Sequence, residues 1–460
     1  MLNAIHKNSI LQILISLTRV MRYKLHKVLL MQVILFFICF CHLACLYFTL
    51  KKMTEIMSPA GSFESLQSAI QGGADAVYFG IEQLNMRARA ANNFTLSDLA
   101  EIKKICTAKN VKTYLTLNTV MYDHDIMLMK KIIDAAKKND IDAVIASDHA
   151  ALMHARKIGI PVHISTQANV SNIESVRFFA DYADTIVLAR ELTLNQVADV
   201  VKQIKRQKIK GPSGELIKIE VFAHGALCMA VSGKCYLSLH SDNASANRGA
   251  CIQNCRREYI VQDKENEIEL EIDNEYIMSS KDLCTIDFID KLIETGISIL
   301  KIEGRGRAAD YVYTTTKCYK EAVESYYIGS YTATKIDYWK NELATVFNRG
   351  FWGGYFLGKT MGEWSNTGGS QATTKKIYVG KGVKYFPKSK VGEFKLESGT
   401  LSVDNDIMIT GSTTGIILTK VQELRMDDLP VTTVKKGDVF SMPLAEKIKS
   451  SDKLYKIVND

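Results

Sequence analysis

From residue 55 onward, short runs of consecutive apolar residues alternate with longer stretches whose apolar positions fall three and four apart. The runs are IMSPAG (56–61), AVYFG (76–80), TYLTLN (113–118), AVIASD (143–148), VHISTQ (162–167), TIVLAR (185–190), IEVFAHG (219–225) and ISILKIEGR (297–305). None alternates apolar with polar residues, which marks strands covered on both faces, as in a parallel sheet. The stretches between them, such as FESLQSAIQGG (63–73) and SDLAEIKKICTAKN (97–110), have the period of amphipathic helices. Eight such units are the number a (β/α)₈ barrel needs, in roughly the 250 residues typical of that fold. An open, doubly wound parallel sheet would carry the same pattern, because periodicity does not reveal closure.

Polar residues cluster where these runs end: Ser58, Asn118, Ser147, Asp148, Gln167, Arg190, His224, Glu303 and Arg305. In a barrel they share the carboxyl-end face, where active sites are built. The seventh and eighth runs are separated by an insertion, 226–296. Helical patterns resume after the eighth (YVYTTTKCYKEAVESYYIG, then DYWKNELATVFNRGFWGG). From about residue 375 the chain changes to short alternating strands with Gly and Asp turns (KIYVGKGVKYF, VGEFKLES, DIMITGS, GIILTKVQEL, DVFSMPL). The expected organisation is a barrel over 53–330, a helical connector over 331–374 and a small all-β barrel domain over 375–460.

Charge adds little to this picture once it is located. The net charge is +8, but residues 1–52 hold seven Lys or Arg and no acid, leaving +1 for the rest. Bulk charge therefore does not point to a nucleic-acid partner. The same 52 residues contain the run VLLMQVILFFICFCHLACLYFTL (28–50), long enough as a helix to cross a bilayer core of about 30 Å. It reads as a membrane anchor if translated and inserted. The reading preferred on composition is an upstream extension ahead of a natural start at Met53, which leaves a cytoplasmic protein.

Cysteine changes the picture more. Of ten, Cys39, Cys41 and Cys45 lie in the apolar run, and Cys106 and Cys318 on helices. The remaining five, Cys228, Cys235, Cys251, Cys255 and Cys284, crowd the insertion. Disulfides would require an oxidising compartment. A zinc site favours paired C-x₂₋₄-C knuckles, which only Cys251 and Cys255 approach. An iron–sulfur cluster needs thiolates converging from irregular loops, and Gly225, Gly233 and Gly249 would let backbone N–H groups approach sulfur. The spread suits an iron–sulfur cluster best, while zinc and inert thiols remain open on spacing.

The segment EVFAHGALCMAVSGKCYLS (220–238) resembles the signature of peptidase family U32, the collagenase-like peptidases. Glu220, Phe222, Gly225, Ala226, Leu227, Cys228, Gly233, Cys235, Leu237 and Ser238 fall at matching positions. SPAGSFESLQSAIQGGADAVYFG, ACIQNCRREY, SSKDLC, LKIEGRGRAADYV and FNRGFWGGYF resemble further blocks of that family, over about residues 55–360. The resemblance implies either of two activities. The family name implies proteolysis, with Cys228 as nucleophile and His224 beside it in sequence, yet no orienting third group is marked and no HExxH motif occurs. Other members are hydroxylases that work without molecular oxygen on a tRNA uridine, an rRNA cytidine or a ubiquinone precursor.

Carried onto this chain, the hydroxylase resemblance implies a 4Fe–4S cluster on Cys228, Cys235, Cys251 and Cys284, with Cys255 able to replace Cys251. The length after Met53 and the added β-domain most resemble the tRNA branch, which forms 5-hydroxyuridine with prephenate. The implied partners are tRNA, a prephenate-like organic acid, and an electron donor or Fe–S delivery system. Glu303 and Arg305 are the candidates for the acid's site, since arginine pairs bidentately with carboxylate. Lys375, Lys376, Lys381, Lys384, Lys388 and Lys390 form a basic stretch that either meets RNA or is solvated surface.

Overall fold

The computed structural model describes residues 53–89, 93–260, 278–358 and 362–459. The apolar run 28–50, with its three cysteines, lies outside them, as does 261–277 of the insertion. Among the described residues no helix is long and apolar enough to cross a membrane.

Eight parallel strands close a barrel: β1 (Glu55–Ala60), β2 (Ala76–Gly80), β3 (Lys112–Leu117), β4 (Ala143–Ala146), β5 (Val162–Ile164), β6 (Thr185–Val187), β7 (Lys218–Ala226) and β9 (Ile299–Ile302). Each pairs in parallel with the next, and β9 pairs with both β7 and β1, which completes the ring. The closed barrel, not the open sheet, is the fold. The strands are almost wholly buried, as their unalternating apolar sequence requires. Helices between them bury the other side; Ile132, Ile133 and Ala136 of Ile126–Lys138 repeat at helical spacing and are fully buried.

Two short strands lacked a sequence signal. β8 (Asp282–Cys284) runs antiparallel to the end of β7, and β10 (Phe351–Trp352) lies beside β8. The long β7 accommodates both partners through a bulge between Phe222 and His224. Its first half pairs with β9, and its last residues pair with β8.

The carboxyl-terminal region is an eight-stranded antiparallel sheet whose end strands are Gly415–Lys420 and Leu429–Val431, with a separate two-stranded ribbon. It surrounds its own cluster of Phe394, Leu396, Ile407, Ile409, Phe440 and Leu454. Its two end strands are not paired with each other among the described residues. It docks on the barrel through Gln71, at the end of the helix Phe63–Gln71. Its side-chain amide donates to the Thr414 carbonyl and accepts from Ile416 N–H, both at 2.9 Å.

Candidate functional site

Ends of the strands and the loops after them frame a cavity of about 150 Å³ at the barrel mouth. Five of the nine polar strand-end residues line it: Asn118, Gln167, Arg190, Glu303 and Arg305. The other four serve the scaffold. Ser58 bonds Thr316, Ser147 bonds the Asn118 carbonyl, and Asp148 caps the helix His149–Ile158. His224 is buried behind the wall against Tyr311, Tyr319 and Phe351, with Nδ1 3.4 Å from the Tyr319 hydroxyl. Burial pushes its pKa down to about 3, so its ring is neutral.

The insertion folds across the mouth and is tied to several barrel loops. Val120 N–H donates to the Asn247 carbonyl, Arg89 N–H to Gly249, and the Asn169 amide to Ser232. Arg248 pairs with Asp125 and lies 4.1 Å above the Tyr122 ring. The glycines serve these close approaches. At Gly225 (φ +106°) an added Cβ would stand 2.6 Å from the Glu303 carbonyl oxygen; at Gly233 (φ +72°) it would stand 2.4 Å from Gln167 Oε1. Any side chain at these positions would thus collide with barrel-mouth residues.

Four thiols line the cavity: Cys228, Cys235, Cys251 and Cys255. They are near enough for the other three to raise the Cys255 pKa through charge, after the larger effect of burial. Cys284 stands apart in β8. It accepts from the Tyr319 hydroxyl at 3.7 Å, and burial pushes its pKa up to about 11. Cys228 is solvent-accessible yet surrounded by protein charge. Burial would raise its pKa, but Arg190, by charge and hydrogen bond, and Arg87 outweigh that and lower it. Arg190 is held by Ser232, at 2.8 Å from Nη2 and 3.1 Å from Nε.

Among the described residues, no three His, Cys, Asp or Glu side chains meet closely enough to grip a single metal ion. The donor set nevertheless suits a soft, thiolate-bound group larger than one ion: four sulfurs around a shared cavity, with two arginines to offset their negative charge.

Below the thiols, Arg87 Nη2 lies 2.9 Å from Glu303 Oε1. Burial would raise the Glu303 carboxyl, but Arg87 and Arg307 overcome it and keep the group ionised below its usual range. Arg305 is 6% exposed and already engaged, donating to Thr116 Oγ1 at 2.8 Å and Asn85 Oδ1 at 2.9 Å. Burial lowers its pKa to about 10. Two polar atoms on the wall, Gln167 Oε1 and Thr166 Oγ1, have no partner among the described residues. Lys301, in β9, forms the floor with its Nζ 2.8 Å from Glu220 and 4.5 Å above the Tyr78 ring.

Arg87 carried no sequence signal. It lies in the loop after β2, outside any periodic segment, and its partner Glu303 is 216 residues away. Glu220 stood out only as a signature position and Lys301 only as a charge inside an apolar run; their pairing was hidden.

Fold and site together define a (β/α)₈ barrel protein with a thiol-lined mouth. Residues 61–366 match the model of peptidase family U32, and the chain belongs to that family. It is 58% identical over 402 residues to "Collagenase" of Porphyromonas gingivalis, covering 87% of this chain and 97% of that one. It is 34% identical over 317 residues to "tRNA hydroxylation protein P" of Helicobacter pylori, covering 66% and 72%. It is 33% identical over 275 residues to the "23S rRNA 5-hydroxycytidine C2501 synthase" of Escherichia coli, covering 59% and 39%.

Proposed function

We propose that this protein is an iron–sulfur-dependent RNA hydroxylase that forms 5-hydroxyuridine in tRNA without molecular oxygen, using an organic acid as co-substrate. The observation that carries the reading is the meeting of four thiols at the barrel mouth, with the one histidine of the signature turned away from them. Relatives named for hydroxylation of tRNA and rRNA support it. Cys228, Cys235, Cys251 and Cys255 would hold a 4Fe–4S cluster, which when bound supplies one-electron chemistry at the mouth. Arg190 and Arg87 lower the Cys228 pKa against the effect of burial and so favour the thiolate form that a ligand requires. Gln167 and Thr166 offer unpartnered oxygens to the base, and the Arg87–Glu303 pair positions charge next to it. Arg305 gives one donor each to Asn85 and Thr116, which fixes its guanidinium in the cavity wall, and its remaining donors are the candidates for the organic acid's carboxylate.

The peptidase reading is favoured by the 58% identity to a protein named collagenase. It requires a base for Cys228, and His224 is buried behind the wall against Tyr319, where burial holds its pKa down to about 3 and makes it a weak base. Nucleoside mass spectrometry of tRNA from a deletion strain tests the two. Loss of a 5-hydroxyuridine-derived nucleoside, restored by the wild-type gene and not by Cys228→Ala, is expected. Unchanged tRNA, with metal-independent proteolysis that disappears in Cys228→Ala, would restore the peptidase.

A further inference from the structure

Gly306 and Arg307, just beyond β9, border two spaces at once. One is a groove of about 870 Å³ between the barrel and the carboxyl-terminal sheet. The other is a chamber of about 110 Å³ lined by Arg87, Arg256, Arg307 and Arg349. The chamber continues into the thiol cavity, with Arg87, Glu303 and Cys228 on the walls of both.

The four guanidinium groups are not equally committed. Arg87 is paired with Glu303. Arg256 spends its donors on Ser279, the Ser280 carbonyl and the Leu227 carbonyl. Arg349 is only 5% exposed and reaches Asp282 at a long 3.5 Å, yet its Nε has no partner among the described residues. Arg307 makes no side-chain hydrogen bond or ion pair with a described residue; it lies 3.5 Å from the centre of the Phe347 ring, which also carries Arg349 at 5.0 Å. Phe347 thus presents two planar cations with unspent donors to one small space. Buried donors left in this state point to an absent acceptor, and paired guanidinium groups favour an oxyanion.

The groove decides which oxyanion. A small free acid would fill the chamber and have no use for a channel several times larger leading to it. At the groove rim Lys376 is paired with Asp310, and Lys420 faces Asp406, while Glu342 adds a further acid. The guanidinium donors left over are therefore those of Arg307 and Arg349, between groove and thiols, with the Glu303 carboxylate on the same wall already paired with Arg87.

We propose that the Arg307–Arg349 chamber holds a backbone phosphate of the RNA, beside the nucleotide whose base enters the thiol cavity, with the flanking strand lying in the groove. This rests on the RNA reading above. The test is the salt dependence of binding of a tRNA anticodon stem-loop to the full chain with its metal content intact. Arg307→Gln is the first variant, because Arg307 bonds nothing the fold needs; Arg349→Lys is the second. Losing one phosphate contact flattens the slope of log affinity against log salt by about 0.7. That change, with iron and sulfide retained, is the expected result for Arg307→Gln. An unchanged slope overturns the placement. Lost iron with an unchanged slope overturns it too, and assigns the arginines to the charge of the thiols. Unchanged RNA binding with a raised KM for the organic acid makes the chamber a carboxylate site instead. A wild-type protein that binds no RNA sinks the RNA reading itself, and this placement with it.

Discussion

Replacing Lys301 by Met isolates one buried interaction under the site. Glu220 is fully buried in β7 and bonded to Lys301 Nζ at 2.8 Å and His163 Nδ1 at 3.0 Å. Burial would raise its carboxyl, but Lys301 and His163 more than compensate and bring it from 4.5 to about 2. A depression of that size corresponds to roughly 3 kcal/mol favouring the ionised form in the native state. Because the native pKa is depressed, this contribution is present above about pH 4.5 and is lost as the pH falls toward 2. Lys301→Met leaves the carboxylate short of its main partner, and breaking a buried pair costs about 3–5 kcal/mol. Both routes give a loss near 3 kcal/mol at pH 7 and acid unfolding displaced to higher pH. Tryptophan fluorescence during urea unfolding is a suitable probe, since Trp339, Trp352 and Trp364 all precede the carboxyl-terminal sheet and report the barrel side. Lys301→Met with Glu220→Gln should recover part of the loss, because no charge is then stranded. A single-variant loss under about 1 kcal/mol, or a double variant as unstable as the single, would refute the reasoning.

Three further outcomes follow from the geometry. Cys255→Ser should lose iron and visible absorbance, whereas Cys284→Ser should keep both; the reverse would place the fourth ligand in β8. Gly225→Ala should give little soluble protein, since its Cβ would meet the Glu303 carbonyl oxygen at 2.6 Å on backbone with φ +106°, and a normal yield and melting temperature would contradict this. Gln71→Ala removes both hydrogen bonds to Thr414 and Ile416, so limited proteolysis between barrel and sheet should quicken while tryptophan-monitored barrel unfolding stays unchanged; equal cleavage rates would show that the docking relies on other contacts.

The barrel was legible because each of its strands is a continuous apolar run followed by a helical period, and burial on both faces demands that composition. β8 and β10 were not, since three and two residues carry no period. The thiol set was legible as a cluster but not as a partition. Cys284 follows an apolar leucine in a strand that turns back onto β7, and only the three-dimensional pairing separates it from the other four. Sequence placed Arg305 at the mouth but did not reveal that Asn85 and Thr116 take two of its donors and fix its orientation. Arg87, Arg307 and Arg349 come from three loops distant in sequence, and their convergence is a product of barrel closure.

The antiparallel pairing of β8 with β7 bears on how such a protein matures. The insertion leaves from Ala226 and returns at Asp282, and these two residues are partners across the ladder. Its ends are therefore stapled together by the strand that also joins β6 and β9. Since the ends of the insertion are held adjacent by the barrel's own strand, barrel closure does not depend on the cysteine-bearing segment having settled across the mouth. Under the cluster reading proposed above, newly synthesised chains would accumulate as a folded precursor, and loading of the thiols would be a late assembly step acting on a completed scaffold.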